Sequence, residues 1–379
     1  MDQPCRPLKE VLAEIPDPRQ ARGKRYPLTA VLALACVAML CGYRSYGAIA
    51  EWGRNYGAPL LRALGFPRAS APCAATLYLL FRALDRAALE EALGRWAEGV
   101  LAATPAPAGQ LEGLAGDGKA LRGSRKQGAP GAHLLSIVSQ RLGVTVAQAS
   151  VDDKTNEIPV LPEVLGGVLL DGRVLTVDAL LTQRAVAQAV VEGGGDYVMV
   201  AKENQAGLHD TLAAVLATPP HLAAPPETTQ TLDLGHGRIE RRRLTVRALL
   251  PGDCDWPGAC QVFVVERHVV VKKTGTERHE RIYGVTSCTP DRARAPEVLR
   301  LLRDHWRIEN RTHWVRDVTF DEDRSQVRTG AIPHIMAALR NTTIGLIRCT
   351  GAPNIAAACR YYAAQPHAAL ALLGLVPEN

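Results

Sequence analysis

Residues 173–205 have the sequence RVLTVDALLTQRAVAQAVVEGGGDYVMVAKENQ. This stretch predicts a strand at Val174–Val177, a helix at Gln183–Val191 that stops at three glycines, and a second strand at Tyr197–Val200. An acid, Asp178, follows the first strand, and polar residues follow the second. Because strands that alternate with helices build α/β sheets, the stretch predicts a mixed α/β sheet.

The regions on either side of this stretch predict the domain organisation. Residues 1–103 have helical periodicity throughout and are expected to form an all-α N-terminal domain that ends in a Pro-rich linker. Residues 110–350 are expected to form the α/β domain, with a β-rich insertion at about 228–289, and residues 351–379 a helical tail. Further helices are predicted at Leu28–Cys41, Ser45–Tyr56, Ala75–Val100, Pro162–Val168, Ala295 to about Val318 and Ile332–Arg348, and further strands at Leu134–Val138, Val144–Val151, Leu244–Val246, Val262–Val265 and Val269–Val271.

The composition is that of a folded protein. Of 379 residues, 47% are hydrophobic and 22% are charged, which excludes a collagen, a mucin-like stalk or a disordered tail. The net charge of +6 is a mild excess that permits a polyanionic partner. Nine scattered cysteines predict reduced thiols in a cytosolic protein, and the spacing of Cys254 and Cys260 does not fit a zinc knuckle. The apolar run Leu28–Cys41 is shorter than the ~20 residues that span a bilayer and predicts a buried helix.

Asp117 is the first candidate catalytic residue. It precedes a segment, residues 118–151, that contains five Lys or Arg and no acid. A single carboxylate beside basic strands is suited to hold a cation against a phosphate backbone, whereas an Asp-Gly turn is the simpler interpretation. Gly113-x4-Gly118-Lys119 also resembles a nucleotide-binding loop, but Ala120 replaces the Ser or Thr that would bind Mg²⁺, so we set that interpretation aside.

Asp178 and Glu309 are the other two candidates. An acid at the carboxyl end of a buried strand lies where α/β sheets place ligands, although Asp178 could equally cap the next helix. On a helix, Glu309 shares one face with His305, His313 and Arg316, next to an apolar stripe. This face could be a surface charge lattice, but the neighbouring residues Trp306 and Trp314 favour a packed or substrate-facing helix.

Polar and basic runs predict where a polyanion would bind. Lys202-Glu-Asn-Gln205 follows a strand, and the run from Gly235 to Arg247 carries a net charge of about +4, from five Arg and one Glu. The simpler interpretation of the basic run is a set of solvated charges, and the more specific one is contact with phosphate groups. The residues expected to contact such a polyanion are Lys119, Arg122, Arg125, Lys126, Lys202, Asn204, Gln205, Arg238, Arg241, Arg242, Arg243, His305, Trp306 and Arg316.

Taken in order, these motifs resemble the DDE transposases of bacterial insertion sequences, in particular the ISAs-type group that includes the H-repeat-associated proteins. The motifs are Ile15-Pro-Asp-Pro-Arg19, Gly116-Asp-Gly-Lys119 with Arg122-Gly-Ser124, Asp178-Ala179 with Gln183, Lys202-x-Asn204-Gln205, Gly235-His-Gly-Arg238-x-Glu240, His305-Trp-x-Ile-Glu-Asn310 with His313-Trp314, and Phe320-x-Glu322-Asp323. They extend over nearly the whole chain.

The resemblance implies a ribonuclease-H-like core in which Asp117, Asp178 and Glu309 are the catalytic and metal-binding residues. It implies two Mg²⁺ or Mn²⁺ ions per site, which activate a water or 3′-hydroxyl and stabilise the leaving oxygen. Some relatives have a Tyr and an Arg before the Glu and a Lys seven residues after it, where this chain has Leu302, His305 and Arg316. Cys73 also stands where Ser is expected.

The function implied is metal-dependent cleavage and strand transfer of the protein's own insertion-sequence element by cut-and-paste transposition. The expected partner is double-stranded DNA, both terminal inverted repeats and target. The protein is expected to act as a homodimer or larger synaptic complex in the bacterial cytoplasm, associated with the nucleoid. One alternative is a catalytically silent DNA-binding relic or repressor, and another is a repair-type nuclease on the same core.

Overall fold

The computed structural model describes residues 6–125, 131–151, 156–235 and 237–375. The chain divides into two compact units. Unit 1 consists of Met1–Pro105, Gly118–Asn156 and Arg307–Asn379, and unit 2 of Ala106–Asp117 and Glu157–Trp306. Lys126, one of the expected DNA contacts, lies outside the described residues.

Unit 1 is mainly helical. Its helices before the first strand are α1 (Leu8–Leu12), α2 (Leu28–Leu40), α3 (Tyr46–Asn55), α4 (Gly57–Ala63), α5 (Ala74–Ala83) and α6 (Arg86–Ala103). Strands β2 (His133–Ser139) and β3 (Thr145–Val151) form an antiparallel hairpin, and α6 packs on β3. The helices after it are α11 (Trp314–Val318), α12 (Ile332–Cys349), α13 (Ile355–Ala364) and α14 (Pro366–Leu372).

Helix α2 is the centre of unit 1. Nearly all of its side chains are buried, because it is apolar on every face and α1, α3, α12 and α13 pack around it. This confirms the predicted buried helix at Leu28–Cys41. No described helix combines the length and apolar character that a membrane crossing requires.

Unit 2 is built on a mixed sheet. Its strands are β1 (Glu112–Ala120, up to Asp117), β4 (Arg173–Val177), β5 (Asp196–Ala201), β6 (Glu227–Gly235), β7 (Arg238–Ala248), β8 (Gln261–Val271) and β9 (Glu277–Thr286). They lie in the order β1-β4-β5-β9-β8-β7-β6. The pairs β1–β4 and β4–β5 are parallel, and the others are antiparallel. The predicted mixed α/β sheet is confirmed.

Helices α7 (Glu157–Leu165), α8 (Arg184–Glu192), α9 (Ala206–Ala217) and α10 (Ala295–His305) complete unit 2. Val174 of β4, Val198 of β5 and Phe263 of β8 share one apolar core with Val298 and Leu301 of α10. The β-rich insertion is a set of four long antiparallel strands that extends the sheet from β5.

Two helices that were each predicted to be continuous are interrupted in the structure. Ala75–Val100 divides into α5 and α6, because Leu84 is extended and the Asp85 carboxylate accepts a hydrogen bond from Ala88 N as the N-cap of α6. The predicted helix from Ala295 to about Val318 divides into α10, a π-helical segment at Glu309–His313, and α11. The predicted strands Val262–Val265 and Val269–Val271 are one strand, β8. The predicted domain boundaries stay a prediction.

Candidate active site

Two candidate acids directly follow the last paired residues of two neighbouring strands in unit 2. The parallel register between β1 and β4 ends with Gly116 opposite Val177. Asp117 is the residue after Gly116, and Asp178 is the residue after Val177. Because neighbouring strands lie about 4.8 Å apart, the register places the two acids next to each other at the carboxyl end of β4. Asp117 lies within β1, so the Asp-Gly turn interpretation was wrong.

The segment after Asp178 is held by hydrogen bonds. The Asp178 carboxylate accepts one from Leu181 N at 3.1 Å, so it caps this turn and not helix α8, whose N-cap is Gln183. The Thr182 hydroxyl donates to the carbonyls of Asp178, at 3.0 Å, and of Val200, at 2.8 Å. These bonds tie the turn both to itself and to the end of β5.

The polar run after β5 also holds this segment. The Asn204 amide donates to the Ala179 carbonyl at 2.6 Å, and the Gln205 amide donates to the Thr182 carbonyl at 3.1 Å. Lys202 is exposed. Two of the expected DNA-contacting residues therefore bind the backbone that follows a candidate acid.

His305, another expected DNA contact, is buried in unit 2. Its Nδ1 lies 3.0 Å from the Thr176 hydroxyl, which donates to the Leu114 carbonyl of the neighbouring strand. His305 therefore connects the end of α10 to Thr176 of β4, and Thr176 lies two residues before Asp178. Trp306 is 67% exposed.

Glu309 lies in unit 1, at the start of the π-helical segment. Its side chain is half exposed, and its Oε2 accepts a hydrogen bond from His313 Nδ1 at 3.0 Å. π-helical segments are rare and occur frequently at functional sites. The four-residue spacing on the chain brings the pair together, as the shared helical face in the sequence predicts.

The surroundings set the protonation states of this pair. The hydrogen bond from His313 lowers the pKa of Glu309 below its ordinary value, with a smaller contribution from the nearby ammonium of Lys119. Burial lowers the pKa of His313, so its imidazole is neutral and its Nδ1 carries the donated proton. Glu309 is therefore kept as a carboxylate, the form that binds cations.

Lys119, an expected phosphate contact, lies in the same unit and is largely buried. Its Nζ binds the Asp317 carboxylate at 2.7 Å. Asp317 is one helical turn beyond His313, on α11. The ion pair therefore fixes a positive charge close to Glu309.

Arg316 is a core residue of unit 1. Its guanidinium is fully buried against the Glu322 carboxylate, at 2.6 Å, and Glu322 also binds Arg340 at 2.7 Å. The two guanidinium groups hold the pKa of Glu322 at about 2, far below its ordinary value, against the opposing effect of burial. Because Arg316 has no exposed surface, we assign it to this buried cluster and not to a DNA contact.

The remaining expected DNA contacts differ in exposure. Arg122 is 72% exposed, and Arg125, Arg238, Arg241 and Arg243 are also exposed. Arg242 is only partly exposed, and its guanidinium binds Asp233 at 2.5 Å and Glu240 at 2.7 Å. Of the expected DNA contacts that carry a positive charge and lie in the described residues, these five exposed Arg and Lys202 have side chains open to solvent.

The structure places three further residues in supporting roles: His313, Thr176 and Thr182. His313 had a detectable signal, its spacing of four from Glu309. The two threonines had none, because the contact of Thr176 with His305 and the hydrogen bond of Thr182 to Val200 join elements that are separate in the sequence.

Two family models match this chain. The first, described as "Transposase DDE domain", matches residues 103–345, which is more than half of the chain. The second, described as "DDE_Tnp_1-associated", matches residues 9–97.

Several known proteins are similar to it. An "Uncharacterized protein in dhlA 3'region" of Xanthobacter autotrophicus is 36% identical over 283 residues, which cover 73% of this chain and 93% of the relative. The "H repeat-associated putative transposase YhhI" of Escherichia coli (strain K12) is 25% identical over 356 residues, which cover 90% of each chain. A cryo-EM structure of a piggyBac transposase synaptic complex with hairpin DNA shares 12% identity at a TM-score of 0.44, over 98% of this chain and 79% of that one. On the matches to the family models and to the sequence relatives, this chain belongs to the DDE transposases of bacterial insertion sequences.

Proposed function

We propose that this protein catalyses cut-and-paste transposition of its own element: it binds the terminal inverted repeats, cleaves the strands and joins the 3′ ends to target DNA. The observation that carries the proposal is the pair Asp117 and Asp178, each of which directly follows the last paired residue of β1 or β4. Family membership supplies the reaction class, and the paired carboxylates supply the chemistry that this class requires.

Asp117, Asp178 and Glu309 would hold the divalent metal, Mg²⁺ or Mn²⁺, at two ions per site. Carboxylate oxygens are the hard ligands that these cations prefer, so the residues present fit the metal. When bound, such ions supply an activated nucleophile and stabilise the leaving oxygen of an in-line displacement. The assignment of Glu309 to the same site comes from the order of the family motifs.

The chain's own groups prepare this chemistry. Asn204 and Gln205 restrain the segment that follows Asp178, and His313 keeps Glu309 ionised. Lys202 and the exposed arginines Arg122, Arg125, Arg238, Arg241 and Arg243 would bind phosphates, with a double-stranded DNA end as their partner. A homodimer or larger synaptic complex in the bacterial cytoplasm, associated with the nucleoid, would hold the two ends.

Strand cleavage of a duplex that carries the element's own end tests the proposal. In Mg²⁺, the wild-type protein should nick at the end, and Asp117→Asn and Asp178→Asn should each lower the rate at least ~1,000-fold, as loss of a catalytic group does. Both variants should still bind the duplex in a gel-shift assay.

A matched control comes from the opposite end of β-strand β4, which Asp178 follows. Asp171 is exposed and lies just before β4, so Asp171→Asn should cleave at the wild-type rate. Binding without nicking by the wild-type protein would instead indicate a DNA-binding relic. Cleavage that ignores the end sequence would indicate a repair-type nuclease.

A further inference from the structure

The outer end of the β8–β9 hairpin in unit 2 carries three side chains with cation-binding atoms. His268 Nε2 lies 3.0 Å from Glu277 Oε2, and His279 Nε2 lies 3.5 Å from the same oxygen. The three ligand atoms all lie within 4.8 Å of one another. The carboxylate oxygen is thus shared between two imidazoles.

The strand register builds this arrangement. His268 is directly opposite His279, and Glu277 is two residues before His279 on the same strand, so all three side chains emerge on one face of the hairpin. The two imidazole rings are stacked, with centroids 4.2 Å apart and an angle of 9° between their planes. Paired strands therefore hold the three donors close together before any ligand binds.

The distances match a tetrahedral transition-metal site. Zn²⁺ binds imidazole nitrogen and carboxylate oxygen at about 2.0–2.1 Å, so two ligands of a tetrahedral ion lie about 3.3 Å apart. Both contacts to Glu277 Oε2 are within a few tenths of an ångström of this separation. The third separation, between the two imidazole nitrogens, is no more than 4.8 Å.

The donor set also selects the class of cation. Two imidazoles and one carboxylate favour Zn²⁺ and the neighbouring divalent transition metals, whereas Mg²⁺ prefers oxygen ligands alone. The next cross-strand row on this face pairs Arg281 with Glu266 at 3.9 Å, which balances its charge. Arg241 on β7 extends the His268–His279 row, and its side chain is exposed to solvent.

We propose that His268, Glu277 and His279 form a binding site for Zn²⁺ or a similar transition-metal ion, separate from the acids of the proposed active site. Three protein ligands leave a fourth position for water or another donor. The ion would join the ends of β8 and β9, and so stiffen the part of the insertion farthest from the connections of β5 and α10. This proposal does not depend on the transposase activity.

Equilibrium dialysis with Zn²⁺ tests the proposal on the full-length protein. The Asp117→Asn/Asp178→Asn background removes the oxygen ligands assigned to the active site. In that background, one Zn²⁺ per chain should remain bound, and 10 mM Mg²⁺ should not displace it. Adding His268→Ala, His279→Ala or Glu277→Gln should each weaken Zn²⁺ binding at least ~10-fold, since even loss of a group that only supports a metal ligand costs that much.

Two controls address other donors. His221 is exposed elsewhere in unit 2, so His221→Ala should bind Zn²⁺ as the background does. Cys254→Ser/Cys260→Ser should do the same, and the absorption spectrum of the Co²⁺-loaded protein should lack a thiolate charge-transfer band. Absence of a stoichiometric Zn²⁺, unchanged binding after His268→Ala/His279→Ala, or loss of binding in the cysteine variant would each overturn the proposal. Circular dichroism establishes that each variant is folded.

Discussion

At the scale of single residues, the Glu309 carboxylate accepts a hydrogen bond from a histidine that the core has already desolvated. Burial keeps His313 neutral, and the neutral ring has a single N–H, which it donates to Glu309. The bond fixes the orientation of a half-exposed side chain that would otherwise sample several rotamers. His313 is thus a positioning residue for the proposed metal ligand.

Replacing His313 with an apolar side chain should lower cleavage activity. We expect His313→Leu to cleave ~10–100-fold more slowly than the wild type, because loss of a group that orients a metal ligand has that effect. His313→Asn, whose amide nitrogen occupies nearly the position of Nδ1, should recover most of the rate. Single-turnover cleavage in Mg²⁺ measures both. If the leucine and asparagine variants have equal rates while remaining equally stable, the hydrogen bond has no positioning role.

At the scale of secondary-structure elements, one motif has a packing role. Gly123 of the Arg122-Gly-Ser124 turn lies against the backbone of the turn at Glu322–Arg324. A Cβ at this position would come within 2.6 Å of the Glu322 carbonyl oxygen and within 2.5 Å of that of Ser325. Because these are backbone atoms, they cannot move aside as a flexible side chain would.

Gly123→Ala should therefore destabilise unit 1 by roughly 1–3 kcal/mol, the usual cost of overpacking. Urea denaturation followed by tryptophan fluorescence measures the change in the free energy of unfolding. Gly207 on α9 is the matched control, because a Cβ there meets nothing within 4 Å. Gly207→Ala should be neutral or slightly stabilising, and an equal effect of the two substitutions would contradict the packing explanation.

The sequence predicted the elements better than their junctions. Helices α2, α3 and α12 and strands β2, β3, β4 and β5 lie within a few residues of their predicted bounds, because each has a clear apolar period. The π-helical segment could not be predicted, since the apolar stripe Leu301, Ile308 and Val315 stays buried through it. Strand β6 was missed because its half-buried residues, Glu227, Thr229, Thr231 and Asp233, are all polar, and its apolar residues Leu232 and Leu234 lie on the exposed face.

The candidate site was predictable to a similar extent. Asp117 and Asp178 carried local signals, an acid in a basic segment and an acid at a strand end, and each follows the last paired residue of β1 or β4. Asn204 and Gln205 were assigned to DNA because polar residues at a strand end also suit a ligand. Their actual partners, the carbonyls of Ala179 and Thr182, are set by the way β4 and β5 pair.

At the scale of the whole molecule, burial affects two carboxylates of unit 1 in opposite ways. Glu322 stays ionised because two guanidinium groups compensate for its desolvation. Glu90 has weaker compensation, a hydrogen bond from Gln148 at 3.1 Å and a contact with Arg86 at 3.7 Å, and burial raises its pKa to about 7. The stability of the molecule should therefore depend on pH near neutrality.

Glu90→Gln should stabilise the protein above neutral pH. A carboxyl whose pKa is higher in the folded state contributes stability below its unfolded pKa of about 4.5, and loses that contribution as pH rises through about 7. The glutamine variant does not lose this contribution. The difference between its free energy of unfolding and that of the wild type should therefore be small at pH 5 and reach at most ~3 kcal/mol at pH 8. Urea denaturation at the two pH values measures the difference. Glu91, 74% exposed on the same helix, is the control, and Glu91→Gln should show no such pH dependence.

The division of unit 1 into three stretches of sequence has a consequence for biosynthesis. Its central helix α2 is synthesised before α12, which packs against it but is encoded more than 290 residues later. The nascent chain must therefore hold an almost wholly apolar helix without the part of its native cover that α12 supplies until that distant segment has been made. Chaperone demand and protease sensitivity during synthesis should be concentrated on this helix, and a premature stop codon anywhere before α12 should leave a product that quality control removes.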